Sequence, residues 1–150
     1  MKLQEAIKTE KFRNGRHMAM LNILYTAYWL KTHNNAALKN YDLTSEQYNV
    51  LRILKGKHPE PMCVKDIGSR MLEKSSNVPR IIDRLVAKNF VERSNSQEDK
   101  RETIITVTEV GLKILEQSTK ALDKVAEKII GLDDAEALEL NEQLEKFRTS

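Results

Sequence analysis

Over residues 75–108 the apolar positions change period, and the change marks a helix followed by two strands. Val78, Ile81, Ile82 and Leu85, with Val86 beside them, recur at α-helical spacing. The opposite face carries Ser76, Asn77, Arg80, Arg84 and Lys88. Ser75 or Ser76 is expected to cap this helix by accepting a bond from an orphaned backbone N–H. Pro79 falls in its first turn, where a missing N–H costs little. Asn89 suits a left-handed closing residue, with Phe90 as the hydrophobic contact after it. The period then drops to two. Residues 90–93 read as a short strand and residues 103–107, rich in β-branched side chains, as a second. Residues 94–102 are all polar or charged and place Lys100 and Arg101 at the hairpin tip. A helix followed by such a hairpin is a winged-helix arrangement. Its helix is sized for a major groove, and its basic tip can reach phosphate or a minor groove.

Upstream, residues 1–16 are charged and weakly amphipathic, a frayed helical arm. Residues 17 to about 37 read as a long helix with two adjacent apolar rows, Leu21, Leu24, Tyr28 and Ile23, Ala27, Leu30. Asn34, Asn35 and Asn40 loosen the chain into a connection. Thr44 and Gln47 form a capping box ahead of a helix whose core face is Tyr48, Val50, Leu51, Ile53 and Leu54. Gly56, His58-Pro59 and Glu60-Pro61 end it. A short helix follows over residues 64–72, with Ile67, Met71 and Leu72 inward. Two short helices joined by a tight turn, the second polar outside, make a helix-turn-helix.

Downstream, Thr108 caps a helix to about residue 130, with Leu115, Leu122 and Ile129 at near-heptad spacing. Gly131 breaks it. Asp133, Asp134 and Glu136 suit the start of a last helix, whose apolar positions are Leu138, Leu140, Leu144 and Phe147. These amphipathic helices are longer than a small winged helix can cover, and a dimer interface would bury them.

Charge sharpens the picture. The net is only +3, but residues 1–115 carry 20 Lys+Arg against 13 Asp+Glu, and residues 116–150 carry 5 against 9. A basic body with an acidic tail fits a nucleic-acid surface on one side. Aromatic residues are 5% of the chain, so the core must be mainly aliphatic. One cysteine excludes an internal disulfide and fits a reducing compartment. No signal peptide or apolar run of bilayer length is present, so a cytoplasmic protein without membrane contact is expected.

The order and spacing of four segments resemble the MarR family of transcriptional regulators. Asp99-Lys100-Arg101, five residues, then Val107-Thr108 resembles the wing signature D-x-R-x5-L-T. RIIDRLVAKNFVERS resembles the recognition helix and first wing strand. LTSEQYNVLRIL resembles the second helix, and GLDDAEALELNEQLEKFR the last. Asn89 replaces a usual Gly, Val107 a Leu, Pro79 a helix former and Cys63 a Ser or Thr. The resemblance implies a homodimer paired through its first and last helices, two DNA-binding lobes and a palindromic operator.

The expected fold is mainly α with a small β-hairpin: a winged helix-turn-helix with N- and C-terminal dimerisation helices. The expected division is an arm over 1–38, the DNA-binding domain over 39–108 and C-terminal dimerisation helices over 109–150. The expected function is a sequence-specific DNA-binding regulator, a repressor, released by a small aromatic or amphipathic effector. The alternative is a winged-helix module that binds a protein and no DNA. DNA contacts are assigned to Ser75, Ser76, Asn77, Arg80, Arg84, Arg93, Lys100 and Arg101. Arg84 has an alternative role in a carboxylate pair, and Asp99 either salt-bridges Arg101 or orients it towards a minor groove. Tyr25, Tyr28, Trp29 and Tyr48, with His33 nearby, are the candidate effector pocket, with plain packing as the alternative. Cys63 reads as a half-buried small residue at a helix start rather than a redox switch. His17, His33 and His58 are too scattered for a metal site, no cofactor is expected, and no catalytic arrangement appears.

Overall fold

The computed structural model describes residues 1–149. It contains α1 (Leu3–Ile7), α2 (Gly15–Lys39), α3 (Ser45–Lys57), β1 (Met62–Cys63), α4 (Val64–Arg70), α5 (Val78–Ala87), β2 (Val91–Asn95), β3 (Thr103–Val107), α6 (Glu109–Ile129) and α7 (Asp134–Phe147). The fold is mainly helical with one small antiparallel sheet, ordered β1-β3-β2.

The core forms where α3, α4, α5, the sheet and the start of α6 meet. Val50, Leu51, Leu54, Ile67, Ile82, Leu85, Val91, Ile105 and Leu115 are buried there. Each comes from an element with a single apolar face, and burying those faces together supplies the hydrophobic driving force. The capping box at α3 forms as expected: Gln47 N–H donates to Thr44 Oγ1 at 3.1 Å, and Thr44 N–H to Gln47 Oε1 at 3.2 Å. Thr108 caps α6, accepting from Gly111 N–H at 3.0 Å. Gly111 is needed for that approach. A Cβ there would stand 2.1 Å from the Phe90 carbonyl oxygen, which already accepts from Thr108 N–H at 3.1 Å. The first half of α6 is therefore built into the same core as the winged lobe.

Several local expectations are corrected. Helix α2 begins at Gly15, capped by Asn14, and runs through Asn34 and Asn35 to Lys39. Those two asparagines weaken a helix but do not stop one that gains packing elsewhere. Gly56 lies inside α3, which ends at Lys57. Helix α4 ends at Arg70, because Met71 turns extended (ψ 140°). That rotates Leu72 outward, 87% exposed, while its N–H donates to Asn49 Oδ1 at 2.9 Å. The first wing strand is Val91–Asn95, shifted towards polar residues by pairing of Ser94 with Ile104 and Asn95 with Thr103. The third strand, β1, pairs Met62 with Ile105 and Cys63 with Ile104. Two residues beside Pro61 carry too little pattern to announce a strand.

Candidate nucleic-acid interface

Helix α5 is held at both ends. Its cap is Asn77, whose Oδ1 accepts from Arg80 N–H at 3.2 Å, and not Ser75 or Ser76. Two facts explain this. For a cap at Asn77 the second helical position is Pro79, which has no N–H, so Arg80 at the third position supplies the donor. Ser76 is already committed, its N–H and Oγ donating to the Glu73 carbonyl at 3.1 and 2.7 Å. At the other end Asn89 is left-handed (φ 62°). Phe90 N–H donates to Leu85 O at 3.0 Å and Asn89 N–H to Val86 O at 2.9 Å, the two bonds of a Schellman closure. Lys88 then anchors this end to the start of α3, its Nζ donating to Gln47 Oε1 at 2.9 Å with Asp42 Oδ2 at 3.6 Å.

Clamped this way, α5 buries Val78, Ile82 and Leu85 and turns Arg80 and Arg84 to solvent. These arginines and Ser75, Ser76 and Asn77 line one shallow hollow of about 400 Å³, which Thr44, Glu46 and Glu73 also border. Among the described residues neither arginine forms an ion pair, although Asp83 lies beside them in sequence. Asp83 pairs instead with Arg93 of β2, tying the wing's base to α5 and committing Arg93's guanidinium.

The wing tip is polar and exposed. Asp99 acts on its main chain: Oδ1 accepts from Arg101 N–H at 3.0 Å, and its carbonyl accepts from Glu102 N–H at 2.9 Å. Asp99 orients the turn, and no carboxylate–guanidinium pair with Arg101 forms. Lys100 and Arg101 are exposed and make no ion pair among the described residues.

A second polar constellation was not legible in the sequence. Lys31 Nζ on α2 donates to Glu46 Oε1 at 3.2 Å and to Glu73 Oε1 at 2.7 Å. The Glu73 and Glu46 bonds hold the Lys31 ammonium above its ordinary pKa. Burial pushes the Glu46 carboxyl up, but a backbone N–H, Lys31 and Thr44 outweigh it and hold the group below its usual value. The partners lie 15 and 42 residues from Lys31, beyond any local pattern. Lys31, Glu46, Asp42 and Lys88 border an open cleft of about 430 Å³ between α2 and the lobe.

The aromatic quartet does not converge. Tyr25 and Trp29 border a hollow of about 260 Å³ with Met1 and Leu3. Tyr28 is 71% exposed. Tyr48 packs on the core, its hydroxyl 2.8 Å from Thr119 Oγ1. Helix geometry causes the split: Tyr28 and Trp29 are 100° apart on α2, and Tyr48 faces α6. Trp29 instead meets His33, at 4.8 Å between ring centroids. Cys63 caps α4 in position only, with no side-chain cap bond. A bond from the Asp66 backbone lowers its thiol pKa, but burial and the Asp66 and Glu102 carboxylates outweigh it and push the thiol up.

The sequence profile of the MarR family matches residues 43–103, from the start of α3 into β3. The chain is 31% identical over 114 residues to the HTH-type transcriptional regulator MgrA of Staphylococcus aureus, covering 76% of each chain. The chain belongs to the MarR family. MarR-family proteins are transcriptional regulators, so this is a winged helix-turn-helix DNA-binding protein of transcription control and not an enzyme. Two solved MarR-family structures match nearly end to end. A MarR transcription factor from Planctomyces limnophilus matches with TM-score 0.70 and 27% identity over 92% of this chain and all of that one. A mutant MarR from E. coli, complexed with operator DNA, matches with TM-score 0.71 and 25% identity over 97% and 98% of the two chains. No helix among the described residues is long and apolar enough to cross a membrane.

Proposed function

We propose that the chain acts as a homodimer on a palindromic operator, with α5 in the major groove and the wing in the flanking minor groove. The observation that carries this is the exposed pair Arg80 and Arg84, free of ion pairs among the described residues, at the solvent face of a helix clamped at both ends. In a helix-turn-helix the N-terminal residues of the second helix meet base edges, which assigns specificity to Asn77 and Arg80 with Ser75 and Ser76 beside them. Lys100 meets phosphate and Arg101 a minor groove. The E. coli relative's complex with operator DNA supports the reading.

Unburied apolar surface supports the proposed dimer. Leu24 and Tyr28 on α2, Ile130 and Leu132 before α7, and Leu138, Leu140 and Phe147 on α7 are all exposed in the single chain. A second copy bringing the same helices would cover them. Residues 1–38 and 109–150 thus serve the interface and 39–108 the DNA, with the start of α6 shared. A dimer seated on promoter DNA excludes other proteins by its volume, so the proposed sense is repression. A small aromatic or amphipathic effector is placed at the Tyr25–Trp29 hollow, and the proposal is dropped if phenolic compounds leave DNA binding unchanged.

The deciding experiment compares Arg80→Ala, Lys100→Ala and Arg101→Ala on matched operator and scrambled duplexes over a range of salt. Arg80→Ala is expected to cost about 1–3 kcal/mol on the operator and relax preference at particular base pairs. Lys100→Ala should weaken both DNAs alike and lower the salt slope by about one. Arg101→Ala should weaken binding most where the flanks are A·T-rich. Equal loss on both DNAs for Arg80→Ala would remove α5 from the reading role. No DNA affinity at low salt would favour the protein-binding alternative.

A further inference from the structure

We propose that Lys31 is a positioning residue for operator recognition, a strap that sets the angle at which the arm helix presents the DNA-reading lobe. The inference rests on the DNA reading above. Three segments meet at one ammonium: α2, which carries it; the first turn of α3, through Glu46; and the α4–α5 turn, through Glu73. The link continues to the reading helix. The Glu73 carbonyl is gripped by the N–H and hydroxyl of Ser76, and Asn77 caps α5 one residue later. A change at Lys31 is thus passed to the start of α5 through two hydrogen-bonded contacts and three residues of chain.

Two features separate the strap from a phosphate contact. Its ammonium is already spent on two carboxylates, at 3.2 and 2.7 Å. Both carboxylates also border the hollow that holds Ser75, Ser76, Asn77, Arg80 and Arg84. Lys31 therefore ties down two side chains on the rim of the reading surface and fixes where that surface points. In a symmetric dimer the same strap acts once per lobe, so it sets the distance between the two reading helices. Half-site spacing is what a dimer of this kind measures.

The test uses a duplex that the wild-type protein selects from a randomised library, a scrambled duplex of the same length, and the full chain throughout. Lys31→Met should weaken operator binding by up to roughly fivefold per lobe, the upper range for an exposed pair, and so by up to roughly 25-fold for a dimer that engages both lobes. Scrambled DNA should be bound as before, the salt slope should not change, and the mass in solution should stay that of the wild type. Lys31→Arg should retain most of the affinity. The swap Lys31→Glu with Glu73→Lys restores the 31–73 pair with its sign reversed while leaving position 31 facing the Glu46 carboxylate, so it should recover part of what Lys31→Glu alone loses, on the operator and not on scrambled DNA. Both of these also decide the matter if Lys31→Met folds poorly. Equal weakening on both duplexes with a slope lower by about one would make Lys31 a phosphate contact and overturn the strap. Unchanged operator affinity in Lys31→Met, or no recovery in the swap, would overturn it too. If the wild-type protein selects no sequence at all, the DNA reading itself falls, a failure separate from loss of the strap alone.

Discussion

Replacing Gly111 by alanine is expected to destabilise the protein, against the usual benefit of alanine in a helix. The new Cβ would lie 2.1 Å from the Phe90 carbonyl oxygen, 3.0 Å from its carbon and 3.0 Å from Val107 Cγ2. Carbon and oxygen normally meet no closer than about 3.3 Å, so a main-chain atom must move by about 1 Å. The obstacle is backbone, and it is the acceptor for Thr108 N–H at 3.1 Å, so the shift also strains the start of α6. Overpacking costs about 1–3 kcal/mol and a weakened hydrogen bond about 1 more, while alanine returns at most about 1 through helix propensity. The net is about 2 kcal/mol, or roughly 4–8 °C in Tm for a chain of this length. Urea and thermal unfolding at fixed protein concentration would measure it. Gly56→Ala is the control, because Gly56 sits in α3 with nothing within 4 Å of its missing Cβ. It should be neutral or stabilising by up to about 1 kcal/mol. If Gly111→Ala matched Gly56→Ala in sign, the close approach of α6 to the Asn89–Phe90 turn would not be a constraint and the packing argument would fail.

Three further outcomes are expected. Thr44→Ala removes the cap of the helix carrying Val50, Leu51 and Leu54 and should cost about 1 kcal/mol in urea unfolding; a change lost in the error would contradict the capping account. Because the folded-state pKa of Glu46 is depressed and that of Lys31 raised, their contribution should be present from about pH 5 to pH 10. It should fade as pH falls through the lowered Glu46 value or rises through the raised Lys31 value, so the stability gap between wild type and Glu46→Gln should shrink in acid. A gap that widened in acid would reverse the sign. Cys63 should react with iodoacetamide more slowly than free cysteine at neutral pH, with its rate inflecting above the ordinary thiol value of 9.0; an inflection below that value would restore a redox role.

What could be read from the chain was whatever its own neighbours decide. The Thr44–Gln47 box, the Thr108 cap and the Asn89–Phe90 closure each lie within a few residues, and each forms as written in the pattern. Strand β3 is found at residues 103–107 because five alternating, β-branched positions face a core on one side. Long-range decisions were hidden. Leu72 is apolar yet turns outward because α4 stops early. Ser76 loses the cap to Asn77 because Glu73 takes its hydroxyl. Strand β1 exists only because β3 is there to pair with it. The interface residues divide the same way. Arg80 and Arg84 were visible as the polar face of one helix, while the commitment of Arg93 to Asp83 and the Lys31 strap depend on elements meeting in space. The aromatic grouping failed for that reason: Tyr48 is near Trp29 in neither direction nor partner.

The closure at Asn89–Phe90 leaves no slack peptide between the reading helix and the wing. Both N–H groups of the turn are spent on α5 carbonyls, and Val91 is already in the sheet. Mechanically, helix and wing root are one casting, braced by the Asp83–Arg93 pair. Beyond the last ladder pair, Asn95 with Thr103, the wing is held by its own turn bonds and not by the core, so it is expected to be the more compliant part. On DNA the root would act as a fixed gauge and the tip as a feeler, taking up differences in groove width without disturbing the register of α5. A ligand or partner that switched this lobe would carry α5 and the wing root together, since no slack peptide separates them.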